Sequence, residues 1–230
     1  MNFSRIVFYF TLACASSVML SVQPRAAEGD APSSSGDTIH SYFDMKEVAS
    51  QELARFPKWT GMVLRKGLQH GWVPPNCTDL KANACPDNAW QKMLEQIKGL
   101  PRAEQIEAVN DWANKHPYIS DQMNWGMSDF WQTPYEFTQI SGDCEDYAIV
   151  KYYSLRALGV PASDMRIMVL QDLNLGGIIH AVLGVYQNGQ LSILDNQIKQ
   201  VMPALSIYHY RPVYGINEDA WWAYQPRKQD

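Results

Sequence analysis

Basic charge and cysteine are both in short supply in this chain. Nineteen Lys and Arg stand against twenty-four Asp and Glu, a formal net charge of −5, and the basic residues form no cluster. That balance argues against nucleic acid and anionic lipid as main partners. Four cysteines in 230 residues, with no Cys-x-x-Cys pair, exclude a zinc-finger framework. Internal repeats and domain linkers are missing too, which excludes a solenoid or a two-domain chain.

What is present begins with an address. Met1-Asn2-Phe3-Ser4-Arg5 is a basic tip, Ile6 to about Leu20 an apolar run, and Pro24-Arg25-Ala26-Ala27-Glu28 a small and polar end. Together they read as a secretory signal over residues 1–27. The run falls short of the roughly 20 apolar residues of a membrane span, with an uncleaved anchor as the alternative. Neither Ala26 nor Ala27 has a small residue three positions before its cut, so the cleavage point stays open. Removing residues 1–27 takes Arg5 and Arg25 and no acid, and the net charge becomes −7. Residues 28–40 read as a flexible polar leader, and 41–230 as one exported, non-inserted domain whose eight Trp and eleven Tyr supply a core.

Helices are expected over 46–55, 59–69, Trp90–Lys98 and Arg102–Lys115; on the last, Ile106, Val109 and Trp112/Ala113 form a stripe. The aromatic stretch 118–141 shows no clean period and reads as an ordered loop. A helix from about Cys144 to Leu158 follows, with Ala148, Tyr152 and Leu155 facing inward and Gly159 and Pro161 as stops. Then the period changes to two, giving strands over Arg166–Gln171, Ile178–Tyr186 and Leu191–Asp195. The expected class is α+β, with helices packed on an antiparallel sheet.

The last two strands are separated by Gln187-Asn188-Gly189-Gln190, and Asn-Gly is a strong hairpin signal. If Gln187 faces Gln190, paired positions sum to 377, and Asp195 falls opposite Val182. His180 and Asp195 then share one face as diagonal neighbours, about 7–8 Å apart at Cα and within reach of a ring N–H to carboxylate bond. A His on an apolar strand is often a satisfied core residue. An Asp on the same face favours the other reading, in which it fixes the imidazole so that the second ring nitrogen can take a proton.

Export also changes how the cysteines read. Cys77 and Cys85 lie close enough in sequence to form a disulfide in an oxidising compartment. Cys144 is then left over at the start of a helix, where the macrodipole favours a thiolate nucleophile. The alternative is a small buried hydrophobe that pairs at times with Cys77 or Cys85. Asp143, Glu145 and Asp146 crowd the thiol and raise its pKa, against the needs of catalysis. Either they cap the helix, or they hold a hard divalent cation, for which Ca²⁺ is the better match.

Gly142-Asp143-Cys144-Glu145-Asp146-Tyr147-Ala148, Ile179-His180-Ala181-Val182 and Leu194-Asp195-Asn196 together resemble the bacterial transglutaminase-like cysteine proteinases, over roughly residues 40–225. The resemblance implies a papain-like, transglutaminase-core fold with Cys144 as nucleophile, His180 as base and Asp195 as orienting acid. It implies dependence on Ca²⁺, with Asp143 and Glu145 as ligands and Asp146 as a third. It also implies a periplasmic endopeptidase that cuts a large surface adhesin near its N-terminus at adjacent alanines, controlling biofilm attachment and dispersal. The implied regulator is the periplasmic domain of an inner-membrane cyclic-di-GMP receptor. A transglutaminase or amidase using the same triad, and a non-catalytic calcium-dependent binding module, are the alternatives.

Overall fold

A computed structural model describes residue 43, residues 45–69 and residues 86–226, with the side chains of 86–88 left out. Cys77, Cys85 and the boundaries expected at 27 and 40 lie outside the described residues. Among the described residues seven strands form one antiparallel sheet: β1 (Met45–Ser50), β2 (Met165–Asp172), β3 (Ile178–Gln187), β4 (Gln190–Leu194), β5 (Met202–Pro203), β6 (Tyr210–Ile216) and β7 (Trp221–Pro226). Their order across the sheet is β1-β7-β6-β2-β3-β4-β5. Among the described residues six α-helices, α1 (Pro57–Gln69), α2 (Pro86–Ile97), α3 (Arg102–Ala113), α4 (Asp121–Trp125), α5 (Pro134–Ile140) and α6 (Cys144–Ala157), lie between β1 and β2 in the chain.

The β3–β4 hairpin closes as the Asn-Gly pair dictates. Asn188 and Gly189 both take positive φ, 51° and 76°, the condition for a turn that matches strand twist. Gln187 faces Gln190 and Leu183 faces Leu194, so the pairs sum to 377. β2 pairs with β3 on one side and β6 on the other, putting it at the centre of the sheet.

Alternation along β2 sorts the core into two layers. Met165, Ile167 and Val169 face the helices and pack with Trp59, Met62, Val109, Ile149, Tyr152 and Leu155. Met168 and Leu170 face the other way, against Val182, Leu191, Ile193, Ile207 and Tyr210. Helix α6 is buried from Glu145 to Leu155 on every side, beyond the single stripe of Ala148, Tyr152 and Leu155. A helix enclosed in this way is a central element of the core.

Two expectations are corrected. Residues 46–55 are not a helix: 45–50 form β1, followed by a short 3-10 turn at Leu53–Arg55. Long-range partners override local propensity there. β1 pairs with β7, and Glu47 meets Arg166 (Nη2–Oε2 3.2 Å), whose guanidinium sits 4.4 Å from the Tyr186 ring and 3.9 Å from that of Trp222. Nor is 118–141 a continuous loop, because it contains α4 and α5. The start of α5 is a capping box in which Glu136 N–H donates to Thr133 Oγ1 (3.2 Å) and Thr133 N–H to Glu136 Oε2 (2.8 Å), with Pro134 at the first helical position.

Candidate active site

The chain turns sharply into α6. Ser141 takes φ 61°, Gly142 follows, and Asp143 is the extended N-cap. Position 142 must be glycine, since a Cβ there would lie 2.1 Å from Asp146 Oδ2. Gly142 also pairs with Tyr118, and its carbonyl accepts from Ile119 N–H at 2.9 Å. This contact carries Asp121, at the start of α4, up to the helix: its N–H donates to Asp143 Oδ2 at 3.2 Å.

Asp121, Asp143 and Asp146 therefore bring carboxylate oxygens within 4.8 Å of one another, and so do Asp143 and Glu145 with the Cys144 sulfur. The expected set of Asp143, Glu145 and Asp146 thus divides into two groups that share Asp143. Asp146 is fully buried, accepting from Gln132 N–H (2.7 Å) and Asp143 N–H (3.2 Å). Asp121 accepts from Phe130 N–H through Oδ2, while its Oδ1, Asp143 Oδ1 and Gln132 Oε1 are buried without a partner. Asp121 was not foreseen, because twenty-two residues separate it from Asp143 and tertiary contacts such as the Tyr118–Gly142 pairing join them.

Electrostatically this end of the site is frustrated as protein alone. Burial, reinforced by the Asp143 and Asp129 charges, pushes the Asp121 pKa up to about 6. Burial again, with the Asp143 hydrogen bond and the charges of Asp146 and Asp143, pushes Glu145 up to about 10. Asp146 is also driven well above the carboxylate range, chiefly by burial. The Cys144 thiol is raised by burial first and Glu145 second; its Sγ lies 3.3 Å from Glu145 Oε2. Buried, unpartnered oxygens on clustered carboxylates are the donor set of a hard divalent cation, and these residues fit one.

The opposite wall is β3. Pairing with β4 ends at Leu183–Leu194, which leaves the start of β3 open to α6. There the Ala181 N–H donates toward the Cys144 sulfur and opposes the upward shift of its pKa. The preceding residue, His180, is buried, and its Nε2 lies 2.9 Å from Asp195 Oδ1. Asp195 stands just past the end of β4, where the hairpin register puts it. An ionised carboxylate only accepts, so Nε2 carries the ring proton and Nδ1 is the basic nitrogen.

Asp195 is saturated with donors. Oδ1 also accepts from Gln197 N–H (2.9 Å), Oδ2 from the Tyr210 hydroxyl, and its main-chain carbonyl from Asn114 Nδ2 (2.8 Å). Burial works to raise its pKa, but the bond and charge of His180, with Gln197 and Tyr210, hold it below the usual range. Tyr210 and Asn114 were not foreseen. The first sits on a C-terminal strand with no strong hydrophobic alternation in its sequence, and the second caps the C-terminus of α3, just past its last residue.

A half-buried thiol at a helix start, beside a His–Asp pair carried by an antiparallel sheet, is the architecture of transglutaminase-like cysteine peptidases. Residues 71–228 match the family described as bacterial transglutaminase-like cysteine proteinase (BTLCP), and the chain belongs to that family and is a cysteine peptidase. Among solved structures it is similar to Legionella pneumophila LapG, at 29% identity and a TM-score of 0.56, covering 70% of this chain and 87% of LapG. Calcium-bound LapG aligns with the same values, and EGTA-treated LapG does so with 84% of its chain covered. No curated protein sequence matches. Among the described residues no helix is long and apolar enough to cross a membrane.

Proposed function

We propose that this chain is a calcium-dependent cysteine endopeptidase of the periplasm that cuts a large surface adhesin near its N-terminus, at adjacent alanines. Such cutting would control biofilm attachment and dispersal. In this reading Cys144 is the nucleophile, His180 the general base and Asp195 the acid that holds the ring. The observation that carries it is the His180–Asp195 pair, buried and hydrogen bonded at 2.9 Å, one residue from the Ala181 N–H that meets the thiol.

Chemically, His180 Nδ1 takes the Cys144 proton as sulfur attacks the scissile carbonyl, and later returns it to the leaving amine. Asp195 stabilises the imidazolium formed between. The Cys144 main-chain N–H, in the first turn of α6 and without an intrahelical partner, serves the oxyanion. Asp121, Asp143 and Asp146, with Glu145 beside the thiol, would hold calcium. Bound there, the ion would supply positive charge that offsets a carboxylate field hostile to thiolate. The calcium-bound and EGTA-treated LapG structures support calcium binding in this family.

Export to the periplasm is supported by the signal read over residues 1–27, and the substrate and the cyclic-di-GMP receptor partner by the family resemblance. The test is to incubate protein lacking residues 1–27 with N-terminal fragments of large adhesins from the same cell, with and without EGTA. A single cut at paired alanines, lost in EGTA and in Cys144→Ala, is the expected result. Intact fragments under calcium, with the enzyme active on another peptide, would refute the adhesin assignment.

A further inference from the structure

On the N-terminal side of Leu183 the edge of β3 is left open. The two-residue Asn188-Gly189 turn makes Gln187 and Gln190 exchange both main-chain hydrogen bonds, so Val185 and Leu183 also turn their N–H and C=O toward β4. By the same alternation Ala181 and Ile179 turn theirs to that side, where β4 has ended. Asp195 bends the chain away by accepting from Gln197 N–H (2.9 Å). Asn114 Nδ2, donating to the Asp195 carbonyl (2.8 Å), and Asn110 Nδ2, donating to that of Lys199 (2.9 Å), hold the departing segment against α3.

The Cys144 sulfur takes the place opposite Ala181, whose N–H meets it. Ile179 stays open: among the described residues neither its N–H nor its C=O has a partner, and the residue is 61% exposed. A bare edge is a template for another chain, which proteins ordinarily blunt with charge or proline. Neither stands here. Ile178 and Ile179 are exposed and apolar, on opposite faces of the strand.

The open edge ends at the thiol, so its occupant is the chain that reaches the thiol. Once the amine has left, the acyl half of the substrate remains on sulfur and must be held through the second step. Running from Ile179 to the sulfur, that half has the N-to-C direction of β3. Resting on the triad reading above, we propose that the acyl half of the substrate docks as an extended strand, parallel to β3, on the Ile179 main chain. In a parallel pair the two groups of one residue reach different partners. The Ile179 C=O accepts from the N–H of the residue whose carbonyl is attacked, and the Ile179 N–H donates to the C=O two residues earlier. The N–H of the residue between points away. Alanine offers almost no side chain to grip, so a cut at adjacent alanines calls for recognition of main chain, which strand addition supplies.

The probe is acetyl-tetra-alanyl chloromethyl ketone, which needs no adhesin. The Cys144 sulfur displaces chloride from its methylene carbon, and the peptide is left tethered by a thioether. Hydrogen exchange at each amide of the calcium-loaded protein is followed by NMR before and after labelling. The Ile179 amide should exchange freely in unlabelled protein and on the order of tenfold more slowly in the adduct. N-methylation of the alanine next to the ketone should slow labelling roughly fivefold, the contribution of one hydrogen bond, and N-methylation of the alanine before it should not. Labelling with an unprotected Ile179 amide, or equal effects of the two methyl groups, would overturn the proposal and leave the triad intact. Protection already present without the probe and lost on dilution would assign the edge to a second copy of the chain instead. A Cys144 that the probe leaves unmodified removes the triad reading, and the docking strand with it.

Discussion

Two sets of buried carboxylates flank the thiol, and they have opposite fates. Asp195 is as buried as Asp121 or Asp146, yet it is held ionised, while the latter two and Glu145 are driven toward their protonated forms. The difference is supply of donors. Asp195 has His180, Gln197 and Tyr210 on its two oxygens, whereas Asp121 and Asp146 accept from main-chain N–H groups alone and crowd against Asp143. Burial alone does not set a carboxylate's charge; what stands opposite it does. The sheet side of the site is satisfied by protein donors, and the helix side leaves buried carboxylate oxygens without them.

The sharpest way to break this comparison is to remove the thiol. Cys144→Ala should lose hydrolysis by on the order of 10³-fold or more, and His180→Ala likewise, with folding nearly intact. Because Cys144 belongs to the group with Glu145 and not to that of Asp121, Cys144→Ala should still be stabilised by calcium. Asp195→Asn should lose less than either, on the order of 10²–10⁴-fold, with residual turnover. Activity of that variant equal to wild type would remove Asp195 from the reaction.

The helix side is tested by the ion. Calcium at a hundredfold excess over its dissociation constant should stabilise the protein by about 2.7 kcal/mol, read by calorimetry. Asp121→Asn and Asp143→Ala should abolish that gain, and magnesium should not replace calcium, since it demands a tighter octahedral shell. Retention of the full gain in Asp121→Asn would move the ion to the group around Glu145.

The smallest effect concerns pH. In metal-free protein the folded Asp121 carboxyl titrates near 6 against an ordinary 3.8, so between those values the folded state binds more protons than the unfolded chain. Stability from this group therefore falls as pH rises from about 4 to 6, and the raised Glu145 extends the fall above 7. Asp195 has the reverse sign: its contribution is present above the ordinary pKa and is lost as pH drops through its lowered one. Protons would compete with calcium for the same oxygens, so the calcium-induced rise in melting temperature should be small at pH 4.5 and grow toward pH 7. A gain independent of pH would contradict it.

Much of the sheet side could be read in the sequence because its geometry is local. The Asn188-Gly189 turn sets the register, and the register places Asp195 beside His180 with no knowledge of the rest of the fold. The helix side was only half legible. Asp143, Glu145 and Asp146 announce themselves by adjacency, but Asp121 joins them through a contact between distant segments. Thr133 and Glu136 carried a readable capping box that the aromatic density of 118–141 obscured. β1 was misread because Met45–Ser50 has no strand character apart from its partner β7.

That β1–β7 pairing has a consequence in time. Met45 lies against Pro226, 181 positions further along the chain. Whether from a ribosome or through a membrane pore, the N-terminal end emerges first, and β1 must wait unpaired until the last strand is out. Contacts of such sequence separation are the slow ones to form. Tyr210, which donates to Asp195, lies on β6, among the last strands to arrive. The order of emergence thus leaves the Asp195 end of the site incomplete for as long as the chain is still being delivered.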